Sequence, residues 1–143
     1  MILENSFQDL NLGVNEMKQG MKVGDTEVIE IEVTSDMFAQ FEGEIVHRAY
    51  STVFMVYHME WVSRKIILPY LEEHEEGMGG AVCVKHLAAS PEGAKLTITA
   101  IVSEIAENVV ITEVSVCNGK KLIGTGEVKQ VILSKRKIAS LLE

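Results

Sequence analysis

Two titratable side chains could perform acid–base or nucleophilic chemistry in this chain, Glu60 and His86. Glu60 lies in a strongly apolar segment, where a carboxylate is unfavourable unless it is paired or takes part in a reaction. A carboxylate placed in this way can act as a general base or as a nucleophile. An ordinary ion pair with Arg64, four residues further along a helix, is an equally good structural explanation.

The alternating pattern of residues 81–88 places His86 on a core-facing strand surface with Val82, Val84 and Ala88. Taken alone, a histidine at such a position is more simply a hydrogen-bonded core residue. Glu60, however, is a second titratable group on the element that this strand would cover. Two such groups in one apolar interior indicate a functional site.

Thr52 is a third candidate, at the beginning of the predicted helix that carries Glu60. Helix capping is its simplest role. Eight residues of helix rise roughly 12 Å, so Thr52 and Glu60 cannot touch on one straight helix. A shared site therefore requires a non-helical start at Thr52 or a contribution from a second protomer.

Other combinations of reactive side chains are less convincing. Cys83 and His86, three residues apart on a strand, point to opposite faces and do not form a dyad. The four histidines lack metal-ligand spacing, so we expect no metal and no cofactor. The glycines of residues 77–80 do not form a dinucleotide fingerprint, because a helix precedes them and a strand follows. They could still present backbone N–H groups to a carbonyl oxygen.

Residues 51–71 are predicted to form the central helix, with Pro69 bending or weakening its last turn. The first two-thirds of this segment are apolar on almost every side, which indicates a buried helix. It is too short and too often interrupted by charge to span a membrane. Before it, a short helix is predicted from Ser35 to Phe41, ended by Gly43, and this region could lie over the site as a lid.

Strands make up most of the remaining chain. One is expected at Ile29–Val33, and the others follow the central helix after a break at the glycines of residues 77–80. Turns are predicted at residues 90–93, 107–108 and 118–119, and a last strand at residues 121–133, loosened by Gly124 and Gly126. Short turns force antiparallel neighbours. The sequence therefore predicts an α+β fold with a curled antiparallel sheet of about five strands around one long helix.

The domain organisation is simple in this interpretation. Residues 21–143 form one domain, and residues 1–20 form a leader of uncertain structure without signal-peptide character. One helix and one sheet leave an open edge and part of the helix uncovered, so we expect a homodimer, with a dimer of dimers as an alternative.

Composition limits the class of function. The net charge of −8 argues against nucleic-acid binding, and no segment predicts membrane insertion. Two cysteines without a CxxC motif indicate a reduced, cytoplasmic protein.

Two sequence blocks resemble a known family. Residues 52–70 read TVFMVYHMEWVSRKIILPY, with a threonine eight positions before the glutamate, and residues 79–86 read GGAVCVKH. Together, at this separation, they resemble the hotdog-fold thioesterases of the fluoroacetyl-CoA thioesterase family. The resemblance covers the chain from about Lys22 to Val131.

The resemblance implies hydrolysis of an acyl-CoA thioester, with a small acyl group and CoA as part of the substrate. It also implies that Thr52, Glu60 and His86 are the catalytic residues. Gly79, with Gly80 beside it, would line the acyl pocket. Val46 is the third residue expected to contact the substrate, because it falls where the family has a gating phenylalanine. Since valine replaces that phenylalanine, fluoroacetyl specificity is not predicted.

A non-catalytic acyl-CoA-binding module and an enoyl-CoA hydratase are the alternative functions. The cations that could meet the CoA phosphates are Arg48, Lys85 and either Lys120 or Lys121.

Overall fold

The computed structural model describes residues 17–143, and the prediction for the first sixteen residues of the leader lies outside this range. The strands are β1 (Thr26–Glu32), β2 (Phe38–Phe41), β3 (Glu44–Tyr50), β4 (Glu75–His86), β5 (Lys95–Ala106), β6 (Val109–Asn118) and β7 (Lys121–Ser134). The helices are α1 (Thr52–Ile67) and α2 (Lys135–Leu141), and 3-10 turns occupy Ser35–Met37 and Leu68–Tyr70.

A five-stranded antiparallel sheet in the order β1-β5-β6-β7-β4 packs against α1, which contacts all five strands. The core forms because alternate strand residues and one helix face are apolar. Burying each large aliphatic side chain stabilises the fold by about 1.5–3 kcal/mol. This architecture confirms the predicted α+β fold with one long helix. The fully or nearly fully buried residues include Met55, Met59, Val62 and Ile66 of α1 and Leu96, Ile98, Ala100, Val102, Val110, Val116 and Val128 of the sheet.

β7 is one long strand from Lys121 to Ser134 that runs through Gly124 and Gly126, and its pairing with β6 is irregular next to Gly124. A Cβ at Gly124 would lie 2.5 Å from the sulfur of Met55, and a Cβ at Gly126 would lie 2.7 Å from the sulfur of Met59. These glycines therefore let the helix approach the sheet closely.

The predicted helix over residues 35–41 is wrong, because the chain forms a β-hairpin there. Ser35–Met37 is a single 3-10 turn without a side-chain cap, and β2 pairs with β3. Glu42 and Gly43 both have positive φ, 52° and 80°, and close the hairpin as a two-residue turn. Gly43 thus ends a strand, although a glycine at this position could equally have ended a helix.

The predicted break at residues 77–80 is also wrong. β4 runs through these glycines and has only an irregularity between Gly79 and Ala81. A Cβ at Gly77 would lie 2.5 Å from Cδ1 of Ile67, so this glycine too makes room for the helix.

Three boundaries differ by a few residues from their predicted positions. α1 ends at Ile67 and the 3-10 turn that follows contains Pro69, which fits the expected weakening. The turn before β5 is closed by a hydrogen bond from the Ala94 N–H to the Pro91 carbonyl, with Gly93 at φ 86°. The turn between β6 and β7 consists of residues 119–120, because Asn118 pairs with Lys121. The turn at residues 107–108 is as predicted.

One stripe of α1 is uncovered, so the prediction of an all-round buried helix is wrong for a single protomer. Val53, Tyr57 and Trp61 are exposed at successive intervals of four residues, and Glu60 is exposed beside them. Phe41, on the hairpin, is exposed as well. Within the described range, no helix is long and apolar enough to cross a membrane.

Candidate active site

Ser51, rather than Thr52, caps α1. The Ser51 hydroxyl accepts a hydrogen bond of 3.1 Å from the Phe54 N–H, which satisfies one of the free donors at the helix start. The capping role expected for Thr52 is therefore wrong. As the first residue of the helix, Thr52 has a hydroxyl that is available for another partner.

That partner is His86. The Thr52 hydroxyl oxygen lies 2.9 Å from Nδ1 of His86, which joins the start of α1 to the end of β4. Either group can donate, according to the histidine tautomer. When Nδ1–H donates to the hydroxyl oxygen, the Thr52 hydrogen is free to donate to a ligand. Nε2 of His86 is buried and has no hydrogen-bond partner among the described residues.

An open cavity of about 600 Å³ lies beside this pair. One wall is the hairpin, which the sequence predicted as a lid, and the opposite wall is the segment that follows β4. A hydrogen bond from the Tyr50 N–H to the Ser90 carbonyl ties the two walls together. Among the described residues, none of those that line the cavity carries a carboxylate. The lining residues are Ala39, His47, Ala49, Tyr50, Ser51, Thr52, His86, Leu87, Ala88 and Ala89.

Glu60 lies apart from this cavity. Its side chain is exposed, and its carboxylate has no hydrogen-bond or ion-pair partner within residues 17–143. A Cβ at Gly79 would lie 3.0 Å from Oε1 of Glu60, so the carboxylate rests against the Gly79 backbone. The expectation that Glu60 is buried in the protomer is therefore wrong.

The predicted alternative, an ion pair between Glu60 and Arg64, does not form. Arg64 instead binds Glu76 of β4 through two hydrogen bonds of 2.6 Å and 3.0 Å. This contact raises the pKa of Arg64 and lowers the pKa of Glu76. Because the arginine is engaged elsewhere, Glu60 keeps a carboxylate free for other contacts.

The remaining predicted binding residues occupy three different places. Gly79 contacts Glu60, whereas a Cβ at Gly80 would lie 3.2 Å from Val131 of the neighbouring strand. Val46 is exposed on β3 and is not among the residues that line the cavity, whereas its neighbour His47 is. The binding roles of these three residues stay predictions.

Sequence reasoning missed a buried polar pair behind the cavity. The Tyr50 hydroxyl lies 2.6 Å from Nδ1 of His58, and both side chains are only 2% exposed. Burial lowers the pKa of His58 and raises that of Tyr50. The spacing of the helix residues does predict that His58 is buried, because His58 stands three residues after Met55 and four before Val62 on the core face of α1.

The described residues contain no group of three or more His, Cys, Asp or Glu side chains that could hold a metal ion.

The five-stranded sheet around one long helix is a hotdog fold, and solved thioesterases share it with this chain. Residues 33–136 match the model of the FlK, fluoroacetyl-CoA-specific thioesterase, family. The chain belongs to this family and is a thioester hydrolase, as the resemblance of the two sequence blocks implied.

Three relatives illustrate the similarity. The fluoroacetyl-CoA thioesterase of Streptantibioticus cattleyicolor is 32% identical over 85% of this chain and 91% of its own length. The crystal structure of a Thermus thermophilus thioesterase superfamily member is 40% identical, with a TM-score of 0.83, over 87% of this chain and 92% of that one. A variant of FlK crystallised with fluoroacetate and CoA is 29% identical, with a TM-score of 0.77, over 82% and 99% of the two chains.

Proposed function

We propose that this enzyme hydrolyses small acyl-CoA thioesters at a composite site in a homodimer. Thr52 and His86 come from one protomer, and the catalytic carboxylate is Glu60 of the partner subunit. The observation that carries the proposal is the 2.9 Å contact between Thr52 and His86 in an open cavity, while Glu60 is exposed and about 12 Å further along the helix.

The uncovered stripe of α1 supports this arrangement. Tyr57 lies midway between Val53 and Trp61, so two copies of the helix packed antiparallel about a twofold axis near Tyr57 would cover each other's stripe. The same axis lies close to the midpoint of Thr52 and Glu60. Thr52 of one protomer would then face the partner's Glu60, and the open edge of β4 would lie at the same side of the molecule.

The residues divide the chemistry in the following way. The Glu60 carboxylate takes a proton from water as the water oxygen attacks the thioester carbonyl, or it attacks the carbonyl itself to form an anhydride that water then opens. The carbon–sulfur bond breaks, and the CoA thiolate leaves readily because a thiol has a pKa of roughly 8.5. The thiolate then takes up the proton. The Thr52 hydroxyl, held by Nδ1 of His86, donates to the carbonyl oxygen as negative charge develops there.

The cavity suits a small acyl group next to the anionic CoA. Four of its ten lining residues are alanines, and the fluoroacetyl-CoA thioesterase among the relatives acts on a two-carbon acyl group. Among the cations considered for the phosphates, Arg48 lies on β3 with its guanidinium carbon 5.2 Å from the centroid of the Phe38 ring, whereas Lys85 lines a separate groove with Cys83 on the outer face of the sheet. Arg48 on the hairpin therefore stays a candidate for the phosphate contact, and Lys85 does not line the cavity. The free cysteines suit the reducing cytoplasm, where we place the enzyme.

The test combines two inactive variants. Free-thiol release is measured on a panel of short, long and aryl acyl-CoA esters for the wild type, Glu60→Gln and Thr52→Ala. Each variant alone should lose turnover. Co-expressed in equal amounts, the two variants should recover about one quarter of the wild-type activity, because half of the dimers are mixed and each mixed dimer has one complete site.

Two outcomes would count against the proposal. Mixed dimers that stay inactive, with mixing verified by two different affinity tags, would show that one protomer supplies the entire site. Saturable acyl-CoA binding by the wild type without turnover of any ester would make the protein a binding module instead.

A further inference from the structure

We propose that Tyr50 and His58 form a positioning pair that orients the His86 imidazole toward Thr52. The inference rests on the proposed function, because it concerns how the Thr52 and His86 side chains of that site are held in position.

Tyr50 connects the buried pair to the cavity. Its ring packs edge-to-face on His86, with centroids 6.2 Å apart and planes at 69°, and it also lines the cavity. On its other side, Tyr50 stacks on His58 with centroids 5.7 Å apart and planes at 16°. One ring therefore contacts both the proposed catalytic imidazole and a buried histidine.

The hydrogen bond to His58 determines where the Tyr50 ring lies. The 2.6 Å contact joins the last residue of β3 to the buried face of α1, so the ring cannot slide or tilt without breaking it. His58 is itself enclosed by aromatic rings: Phe54 and Trp61 lie with centroids 6.0 Å and 6.2 Å away, on the preceding and following turns. His58, which holds the Tyr50 hydroxyl, thus belongs to the buried face of α1.

His86 is left with few orientations between these contacts. Its Nδ1 bonds to the Thr52 hydroxyl, and its Nε2 is buried without a hydrogen-bond partner among the described residues. Within one protomer, residues 17–143 supply no hydrogen bond at Nε2 that would orient the ring. The packing of Tyr50 supplies the second constraint that a side chain needs to be held in one rotamer.

Packing alone does not require a polar pair at this place. A phenylalanine and a leucine would fill similar volumes, and replacing both partners of a buried hydrogen bond by apolar groups can leave stability nearly unchanged. Contacts between two apolar side chains, however, are not directional. The hydroxyl–imidazole bond holds the ring in one orientation, whereas apolar contacts leave it free to slide.

The test uses Tyr50→Phe alone and the double variant Tyr50→Phe/His58→Leu. The single variant removes one partner of this buried hydrogen bond and should lower the melting temperature. The double variant removes both polar groups and should recover much of that loss. In both, kcat for acyl-CoA hydrolysis should fall about 3- to 30-fold with KM within about twofold, because small misplacements of a catalytic group slow the reaction strongly.

A matched control is a second buried polar pair, which joins α1 to β6 of the five-stranded sheet. The Ser63 and Thr112 hydroxyls lie 2.7 Å apart and both side chains are fully buried. Ser63→Ala/Thr112→Val removes a polar pair of the same kind, remote from the cavity. It should leave kcat within about twofold, whatever its effect on the melting temperature.

Nitrogen-15 NMR of the His86 ring gives a readout that does not depend on turnover. In the double variant, the Nδ1 and Nε2 shifts should move, as the tautomer preference set by the Thr52 contact is lost. A double variant with wild-type kcat and unchanged His86 shifts would overturn the inference. If the wild type hydrolyses no acyl-CoA ester, the proposed function fails, and the NMR comparison still decides whether Tyr50 and His58 orient His86.

Discussion

Replacing Gly79 with alanine should reduce activity without reducing stability. The new Cβ would lie 3.0 Å from Oε1 and 4.0 Å from Cδ of Glu60, whereas ordinary contacts begin near 3.4 Å. The carboxylate must therefore shift by a few tenths of an ångström. Because Glu60 is exposed and lacks a partner among the described residues, it can move without disturbing the core.

The size of both effects follows from this geometry. A displacement of this size should lower kcat about 3- to 10-fold, given that a 1 Å error can cost roughly 100-fold. Gly79 does not have a positive φ, so alanine is tolerated there. Removing a glycine at a compatible position adds about 0.4–1 kcal/mol of stability through the unfolded chain. The melting temperature should therefore stay constant or rise.

Thiol release across a substrate titration and thermal denaturation together test this prediction, with Gly124→Ala as the control. At Gly124 the Cβ would meet the buried sulfur of Met55 at 2.5 Å, and such overpacking costs about 1–3 kcal/mol. The control should unfold at a lower temperature. Unchanged kcat in Gly79→Ala would refute the idea that this backbone positions Glu60. A rise in KM alone would instead assign Gly79 to the acyl pocket.

Two further predictions concern the helix start and the buried histidine. Ser51→Ala should lower the free energy of unfolding by about 0.5–2 kcal/mol through loss of the cap, whereas Thr52→Ala should stay within about 0.5 kcal/mol of wild type in denaturant melts. Equal losses would contradict the assignment of Ser51 as the cap. The folded-state pKa of His58 is lowered from its ordinary 6.5, so the unfolded chain binds a proton first as the pH falls. Stability should therefore decline below about pH 6.5 until the folded pKa is reached, and Tyr50→Phe/His58→Leu should show a smaller decline. A free energy of unfolding of the wild type that increases as the pH falls through this interval would contradict the prediction.

Local patterns were enough to predict the main elements. Alternation with period two in β4 to β7 and the apolar segment of α1 depend only on which residues share a face, and a face must be buried whatever the details of packing. The two sequence blocks around Glu60 and His86 were likewise specific enough to indicate the family. Gly43 was misassigned because a glycine after a polar residue can end a helix or close a hairpin, and only the pairing of Phe38 with Tyr50 decides between them.

The contacts of the site depend on residues that are distant in sequence, and only the tertiary structure decided them. The choice of Ser51 rather than Thr52 as the cap turned on one residue of helix register, which local preference does not resolve. Arg64 binds Glu76, twelve residues away in sequence, and not Glu60, which is only four residues away, because β4 lies alongside the helix. Thr52 contacts His86, 34 residues further along the chain, for the same reason. A sequence determines which side chains are available and which faces are buried, but the distances between chemical groups arise only when the helix is laid against its sheet.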